Sequence, residues 1–198
     1  MLAFALAVTL LLATPGPGVV SLAGVGSAFG RGAGLRYLAG LFLGTNAVAL
    51  AVISGLAALV LAEPALRWAL FAASTAYLLW LAFRIATAET ALAIRPAARA
   101  PGIRGGLALQ ALNPKAYVVN AALFAGFPLL PGRPVAEVAA KLAVVNAIWL
   151  AVHAAWLLAG IALRRADLPA RARRWINRAM AAAMIGVVGL AAASAIRG

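Results

Sequence analysis

The chain has few or none of the residues on which enzymatic and metal chemistry commonly depend. Its 198 residues include no cysteine and a single histidine, His153. Without cysteine, disulfides, thiolate metal sites and thiol redox chemistry are excluded. One histidine rules out a multi-histidine metal site. We therefore expect neither a metal nor a cofactor.

Acidic residues are also scarce, and the chain carries little charge of either sign. Four Asp and Glu stand against 17 Lys and Arg, a formal net charge of +13, and 11% of the residues are charged while 66% are hydrophobic. A soluble domain is about 45–50% apolar and about 25% charged. The basic excess would suggest nucleic acid in a soluble protein, but here the bases lie in short gaps between apolar runs. We expect a protein of the lipid bilayer with no nucleic-acid partner.

Six apolar runs follow one another along the chain, each near the roughly 20 residues that a membrane-spanning helix needs. They cover residues 2–29, 37–62, 68–85, 105–130, 138–163 and 176–196. A signal peptide would open with positive charge, but residues 1–13 carry none, so we interpret the first run as a helix that stays. No gap is large enough for an extramembrane domain. The sequence predicts an all-α integral membrane protein with six transmembrane helices in one domain.

Basic residues are concentrated on one side of the predicted membrane. When the linkers are assigned alternately to the two sides, twelve arginines fall on one side, whereas the other has Arg67, Arg133, Lys141 and Arg197. Positive charge in short loops stays in the cytoplasm. Both termini are therefore predicted on the outer side.

The two halves of the sequence share a pattern of polar interruptions. Proline interrupts the first apolar run at Pro15 and Pro17 and the fourth at Pro114, while the second and fifth runs carry Asn46 and Asn146, 100 positions apart. Each half has three helices, and because three is odd, the halves must lie in opposite orientations across the membrane. The sequence predicts two inverted three-helix repeats with a broken first helix in each.

These repeats give the predicted domain organisation. Residues 1–87 form the first repeat, residues 88–104 a basic cytoplasmic linker, and residues 105–198 the second repeat. Inverted repeats with broken helices are typical of transporters that bind a solute near the midplane of the bilayer.

Broken helices expose backbone groups that lipid cannot satisfy. Proline removes an N–H and displaces the carbonyl four residues earlier, so the freed groups must face protein or a water-filled cavity. The N-terminus of a half-helix attracts a carboxylate, and freed carbonyls suit an ammonium. A small zwitterionic solute would find both. The alternative is that these prolines only kink helices for packing.

A set of candidate substrate-binding residues follows from these interruptions. The set is Pro15, Gly16, Pro17, Asn46, Asn113, Pro114, Lys115 and Asn146. Lys115 lies about ten residues inside an apolar run, so its charge should face a cavity, a partner or a substrate carboxylate, unless it reaches the nearer interface. The asparagines could instead join neighbouring helices. His153 is a candidate proton relay because imidazole exchanges protons near neutral pH; otherwise it would bond a nearby carbonyl.

Several short motifs occur in an order typical of one family. They are TPGPG at 14–18, GRGAGL at 30–35, AGLFLG at 39–44, YLLWL at 77–81 and NPK at 113–115. Together they resemble the landmarks of the LysE/RhtB family of amino-acid exporters, the LysE family translocators, over essentially the whole chain. The resemblance implies secondary transport that exports amino acids or small derivatives across the bacterial cytoplasmic (inner) membrane, driven by the proton gradient.

The chain departs from that family pattern at one place. Some relatives have a titratable residue just after the glycine that matches Gly44, whereas this chain has Thr45 and Asn46, neither of which titrates. Proton coupling, if present, must therefore use another group.

Two other functional classes stay open at this point. One is a structural or assembly subunit that transports nothing. The other is an intramembrane enzyme, which would need a nucleophile with a base or paired carboxylates. We expect no enzymatic activity, and as partners a small zwitterionic solute and the lipid bilayer; a homodimer is an open alternative.

Overall fold

The computed structural model describes residues 1–14, 16–55, 62–87, 100–166 and 168–197. These residues form eight α-helices and no strand. The helices are α1 (Leu2–Ala13), α2 (Pro17–Phe29), α3 (Arg31–Ile53), α4 (Pro64–Ala86), α5 (Ile103–Leu112), α6 (Pro114–Gly126), α7 (Pro134–Arg165) and α8 (Ala170–Arg197). The prediction of an all-helical fold is confirmed for this part of the chain.

Two pairs of helices are separated by short proline-containing breaks. α1 and α2 meet at a bend of 54°, and Gly16 between them has an extended backbone. Asn113, also extended, separates α5 from α6. Pro17 and Pro114 each take the first position of the following helix, where the missing N–H has no intrahelical acceptor to lose. Pro15 lies outside the described residues.

Candidate membrane spans occur among the described helices. By length and apolar composition, α3 and α7 could each cross a bilayer, and the bent pair of α1 and α2 could form a third span. The arrangement of six spans in two inverted repeats stays a prediction. Most of the predicted basic linker, residues 88–99, lies outside the described part of the chain, as do residues 56–61 of the second apolar run.

Several helices begin or end away from the limits of the apolar runs. α7 begins at Pro134, four residues before the fifth run, and α8 begins at Ala170, six residues before the sixth. Helical hydrogen bonds form in water as well as in lipid, so a helix can extend beyond its apolar run. α6 ends at Gly126, four residues before the end of the fourth run, because Pro128 follows and disfavours helical geometry at Phe127.

The strongest helix packing joins the first half of the chain to the second. α3 packs along α5, α2 packs along α7, and α4 packs on α8. At Gly40 of α3 the backbone of Ile103 approaches so closely that a Cβ would overlap it, and Gly160 of α7 meets the backbone of Ala23 in the same way. Such small residues allow helix backbones to touch in a membrane. The two halves are therefore held together by direct backbone contact.

Candidate functional site

The two breaks lie against each other, and Lys115 connects them. Its side chain extends from the first turn of α6 to the end of α1, where Nζ donates a hydrogen bond of 2.7 Å to the Thr14 carbonyl oxygen. A Cβ placed on Gly16 would stand 3.0 Å from the same side chain. The last carbonyls of α1 have no intrahelical donor and carry partial negative charge, so an ammonium is stabilised there. Gly16 leaves the room that the lysine occupies.

Asn113 holds the second break in place. Its Oδ1 accepts a hydrogen bond of 3.1 Å from the Lys115 backbone N–H and thereby caps the start of α6. Its Nδ2 donates to Gln110 Oε1 at 3.0 Å. Asn113 is only 5% exposed, so both ends of its amide are fixed. The cap orients the first turn of α6 and therefore the direction in which the Lys115 side chain leaves the helix.

His153 of α7 directs one ring nitrogen toward the start of α2. Its Nδ1 is 2.9 Å from the Trp149 carbonyl oxygen, and its ring stacks on the Trp149 indole with 3.5 Å between centroids. A carbonyl oxygen only accepts, so Nδ1 carries the hydrogen and Nε2 of the neutral ring has the free lone pair. That Nε2 lies 3.5 Å from where a Cβ on Gly18 would stand. The absence of a side chain at Gly18 leaves Nε2 accessible.

These groups border a small cavity of about 50 Å³, here called the central cavity, whose wall is mostly apolar and carries several polar side chains. Its polar side chains are Thr45, Gln110, Asn113, Lys115, Asn120 and His153, and Gly16 and Pro17 contribute backbone. This volume suffices for a few water molecules, since one needs about 10–15 Å³ by the same measure. No carboxylate lines the cavity, so within the described residues it presents positive charge and neutral hydrogen-bonding groups and offers no metal-ligand set.

The start of α2, which forms one wall of the central cavity, is held by buried hydroxyl groups. Ser21 Oγ donates to the Gly18 carbonyl oxygen at 2.9 Å, and Tyr37 Oη of α3 donates to Ser21 Oγ at 3.2 Å. At the other end of α2, Arg164 donates to the Ala28 carbonyl oxygen, where a cation suits a helix C-terminus. Both ends of α2 are therefore tied to neighbouring helices.

Asn46 and Asn146 contact each other and not the central cavity. Asn46 Nδ2 donates to Asn146 Oδ1 at 3.1 Å, and Asn146 Nδ2 donates to Asn46 Oδ1 at 2.9 Å. The reciprocal pair joins α3 to α7. Both were predicted as substrate-binding residues, but in this structure their amides satisfy each other.

The structure thus brings together most of the residues proposed from the sequence. Gly16, Pro17, Asn113, Lys115 and His153 line one cavity, and Pro114 lies at its edge as the first residue of α6.

Several cavity residues were not proposed from the sequence, among them Gln110, Thr45, Asn120 and Trp149. Gln110 is the only glutamine in the chain and stands four residues before Pro114, at the carbonyl that the proline displaces. The spacing between Gln110 and Pro114 could therefore have identified Gln110 as a candidate cavity residue. Thr45 and Trp149 gave none, because a threonine or a tryptophan within an apolar helix occurs as commonly in packing.

Comparison with known proteins adds one finding. A family profile described as LysE type translocator matches residues 9–195. No curated protein and no solved structure matches the chain.

Proposed function

The chain belongs to the LysE type translocator family and is therefore a membrane transporter; we propose that it exports amino acids or small derivatives from the bacterial cytoplasm across the inner membrane. In this proposal the chain crosses the membrane six times as two inverted repeats, with both termini outside. The observation that carries the proposal is the Lys115 ammonium bound at the junction of two broken helices, beside a cavity that several polar side chains line.

The carboxylate of the solute binds at Lys115. The Thr14 carbonyl oxygen engages one of the three N–H groups of this ammonium, and a carboxylate is a stronger partner than a neutral carbonyl. The first N–H groups of α2, near Gly18, have no intrahelical acceptor and supply further donors. A solute carboxylate therefore replaces the Thr14 carbonyl oxygen as the partner of Lys115, and the end of α1 loses its contact with the lysine.

The ammonium of the solute binds at His153. The Nε2 lone pair faces the cavity, and the Thr14 carbonyl oxygen that Lys115 releases is a second acceptor. A proton on Nε2 removes the lone pair and adds a positive charge, so proton and solute compete for one site. By linkage, each weakens binding of the other by the same factor. The solute is then released on the side from which protons enter the site. Inward movement of protons therefore drives export of the solute.

The two halves alternate access to the central cavity by moving against each other. The close backbone contacts at Gly40 and Gly160 lie toward the ends of α3 and α7 that meet the basic loops. In this proposal they form the closed side of the transporter, and that side faces the cytoplasm. Separation of these contacts opens the central cavity to the cytoplasm.

Efflux from proteoliposomes tests the proposal. Purified protein is reconstituted, the vesicles are loaded with a panel of labelled amino acids, and release is measured with and without a proton gradient. We expect gradient-dependent efflux of at least one neutral amino acid. Lys115→Met should reduce that efflux at least about tenfold because a charge partner is lost, and Lys115→Arg should retain more of it.

Thr9→Ala is the control variant. Thr9 lies on the exposed face of α1, where its hydroxyl bonds only within its own helix, so efflux should match the wild-type protein. Efflux no faster than from protein-free vesicles across the whole panel would contradict the proposal and favour an assembly subunit.

A further inference from the structure

A second cavity, of about 630 Å³, lies beside α6 on the side away from the basic loops. It is bordered by the end of α3, by α6 and by the start of α7. Its wall is largely apolar, with Val52, Phe124, Ala125 and Val138 among the side chains that face it. Ligand sites in proteins have volumes of about 300–1,000 Å³, so this cavity is large enough for a whole amino acid, whereas the central cavity as it stands is not.

Two opposite charges stand together in the wall of this second cavity. Lys141 is only 2% exposed, and its Nζ lies 2.7 Å from Glu137 Oε1 and donates to the Phe124 carbonyl oxygen at 2.8 Å. Glu137 Oε2 accepts from the Leu130 N–H at 3.0 Å. These contacts use two of the three N–H groups of Lys141 and leave lone pairs on both carboxylate oxygens. Each charge can accept a further partner.

A purely structural role accounts for only part of this arrangement. Lys141 caps the carbonyl-exposing end of α6, which a cation stabilises. Capping alone needs one donor, whereas the charge on the almost fully buried Lys141 carries a desolvation penalty that an apolar residue would avoid, and its partner Glu137 keeps 18% of its side chain exposed. The pair also borders the larger of the two cavities. Opposite charges 2.7 Å apart beside an apolar wall match the ammonium, carboxylate and side chain of one amino acid.

We propose that the second cavity is an exit-side binding site for an amino-acid zwitterion with an apolar side chain. The solute carboxylate binds Lys141, its ammonium binds Glu137, and its side chain packs against Val52, Phe124 and Ala125. The proposal rests on the export function above, because it places a second site on the route of the same solute.

The position of the second cavity supports a place on that route. Lys141, Val145, Trp149 and His153 follow one another at four-residue spacing on one face of α7, so Lys141 lies about 12 Å along the helix from Trp149 in the central cavity. On α3, Val52 lies about 10 Å beyond Thr45. A solute that leaves the central cavity between these helices reaches the second cavity next.

The binding of radiolabelled L-leucine to the purified full chain in nanodiscs tests the proposal. Ala125→Phe places a ring in the second cavity and should lower the number of L-leucine molecules bound per protein, because only the central cavity can then bind. Ala122→Phe makes the same change on the same helix at an exposed position that borders neither cavity, and binding should be unchanged. Lys115→Met alters the central cavity and not the second, so L-leucine binding at the second cavity should persist in this variant.

The binding of the solute ammonium at Glu137 is tested separately in the same experiment. Glu137→Gln removes the partner of the solute ammonium and should weaken L-leucine binding at least about tenfold. N-acetyl-L-leucine keeps the carboxylate and the side chain but has no ammonium, so its affinity should not fall in Glu137→Gln. The contrast between the two probes separates loss of a specific contact from general damage to the protein.

Three outcomes would overturn the second site. L-leucine binding that survives Ala125→Phe but is lost in Lys115→Met would place the only site in the central cavity. Absence of L-leucine binding to the wild-type protein would remove the site altogether. A phospholipid that co-purifies with the wild-type protein and is lost in Ala125→Phe would make the cavity a lipid site. Proteoliposome efflux by the same wild-type preparation shows, in each case, whether export itself stands.

Discussion

The Lys115 ammonium lies 2.7 Å from the Thr14 carbonyl oxygen, although the two residues are 101 positions apart in the chain. The two breaks are complementary, because α1 ends in carbonyl groups without intrahelical donors and α6 carries a lysine in its first turn, within an otherwise apolar stretch. The bond is also one that a carboxylate can replace. The junction therefore links the two broken helices, and in the proposed mechanism it also binds the solute.

Replacement of Asn113 should separate the two functions of its amide. Asn113→Ala removes the cap of α6, which is worth about 1 kcal/mol, and leaves Gln110 Oε1 without its donor. We expect efflux to be lost while the protein still reaches the membrane. Asn113→Ser restores a capping oxygen but not the donor to Gln110, so its efflux should lie between that of Asn113→Ala and that of the wild-type protein. Equal efflux from Asn113→Ala and wild type, at equal protein in the membrane, would rule out this site.

Solutes with basic side chains should be exported poorly. The central cavity contains Lys115 and no carboxylate, so a second positive charge a few ångströms away is repelled by a few kcal/mol at the effective dielectric constant of a protein. We expect labelled lysine and arginine to leave proteoliposomes at least about tenfold more slowly than neutral amino acids of similar size. Faster efflux of the basic amino acids would show that the solute does not approach Lys115.

The coupling to protons should depend on His153. His153→Gln keeps a polar side chain of similar reach but cannot exchange a proton in this pH range. We expect efflux from this variant to continue down the solute gradient, and an inward proton gradient should no longer accelerate it. The measurement is the ratio of efflux rates with and without the gradient. An unchanged ratio in His153→Gln would place coupling elsewhere in the chain.

The closed side should be sensitive to a single methyl group at Gly40. A Cβ there would overlap the Ile103 backbone, and such overpacking costs about 1–3 kcal/mol. Gly40→Ala should therefore lower the Tm in detergent by several degrees. Gly32→Ala is the matched control on the same helix, because nothing lies within 4 Å of its Cβ position, and its Tm should stay level or rise slightly. A Tm for Gly40→Ala equal to that of Gly32→Ala would contradict the close packing.

The sequence predicts those features of the fold that depend on local chemistry. The interruptions at Pro17 and Pro114 are visible because proline acts on its own helix whatever the surroundings. The helical class follows from composition for a similar reason. Helix ends are less predictable, since α7 and α8 extend beyond the apolar runs into residues that carry no hydrophobic signal.

Features that depend on the rotation of one helix against another were not accessible from the sequence. Asn46 and Asn146 were proposed as cavity residues from their matched positions, but their side chains meet each other across α3 and α7. The sequence shows that Lys115 is a charged residue within an apolar run, yet its contact with Thr14 depends on how the two halves of the chain pack. Glu137 and Lys141 have the four-residue spacing of a helical ion pair, although nothing in the sequence indicates the cavity beside them.

Solute protection of introduced thiols tests most directly the claim that both breaks border one solute pocket. The chain has no cysteine, so Leu12→Cys on α1 and Ala116→Cys on α6 each introduce a unique thiol at the central cavity, and Gly32→Cys, at an exposed position near the start of α3, is the control. The measurement is the rate of labelling by a small hydrophilic thiol reagent with and without the exported amino acid. The account predicts that the amino acid slows labelling at both cavity positions and leaves the labelling of Gly32→Cys unchanged. Labelling rates that the amino acid does not alter at either cavity position would contradict it.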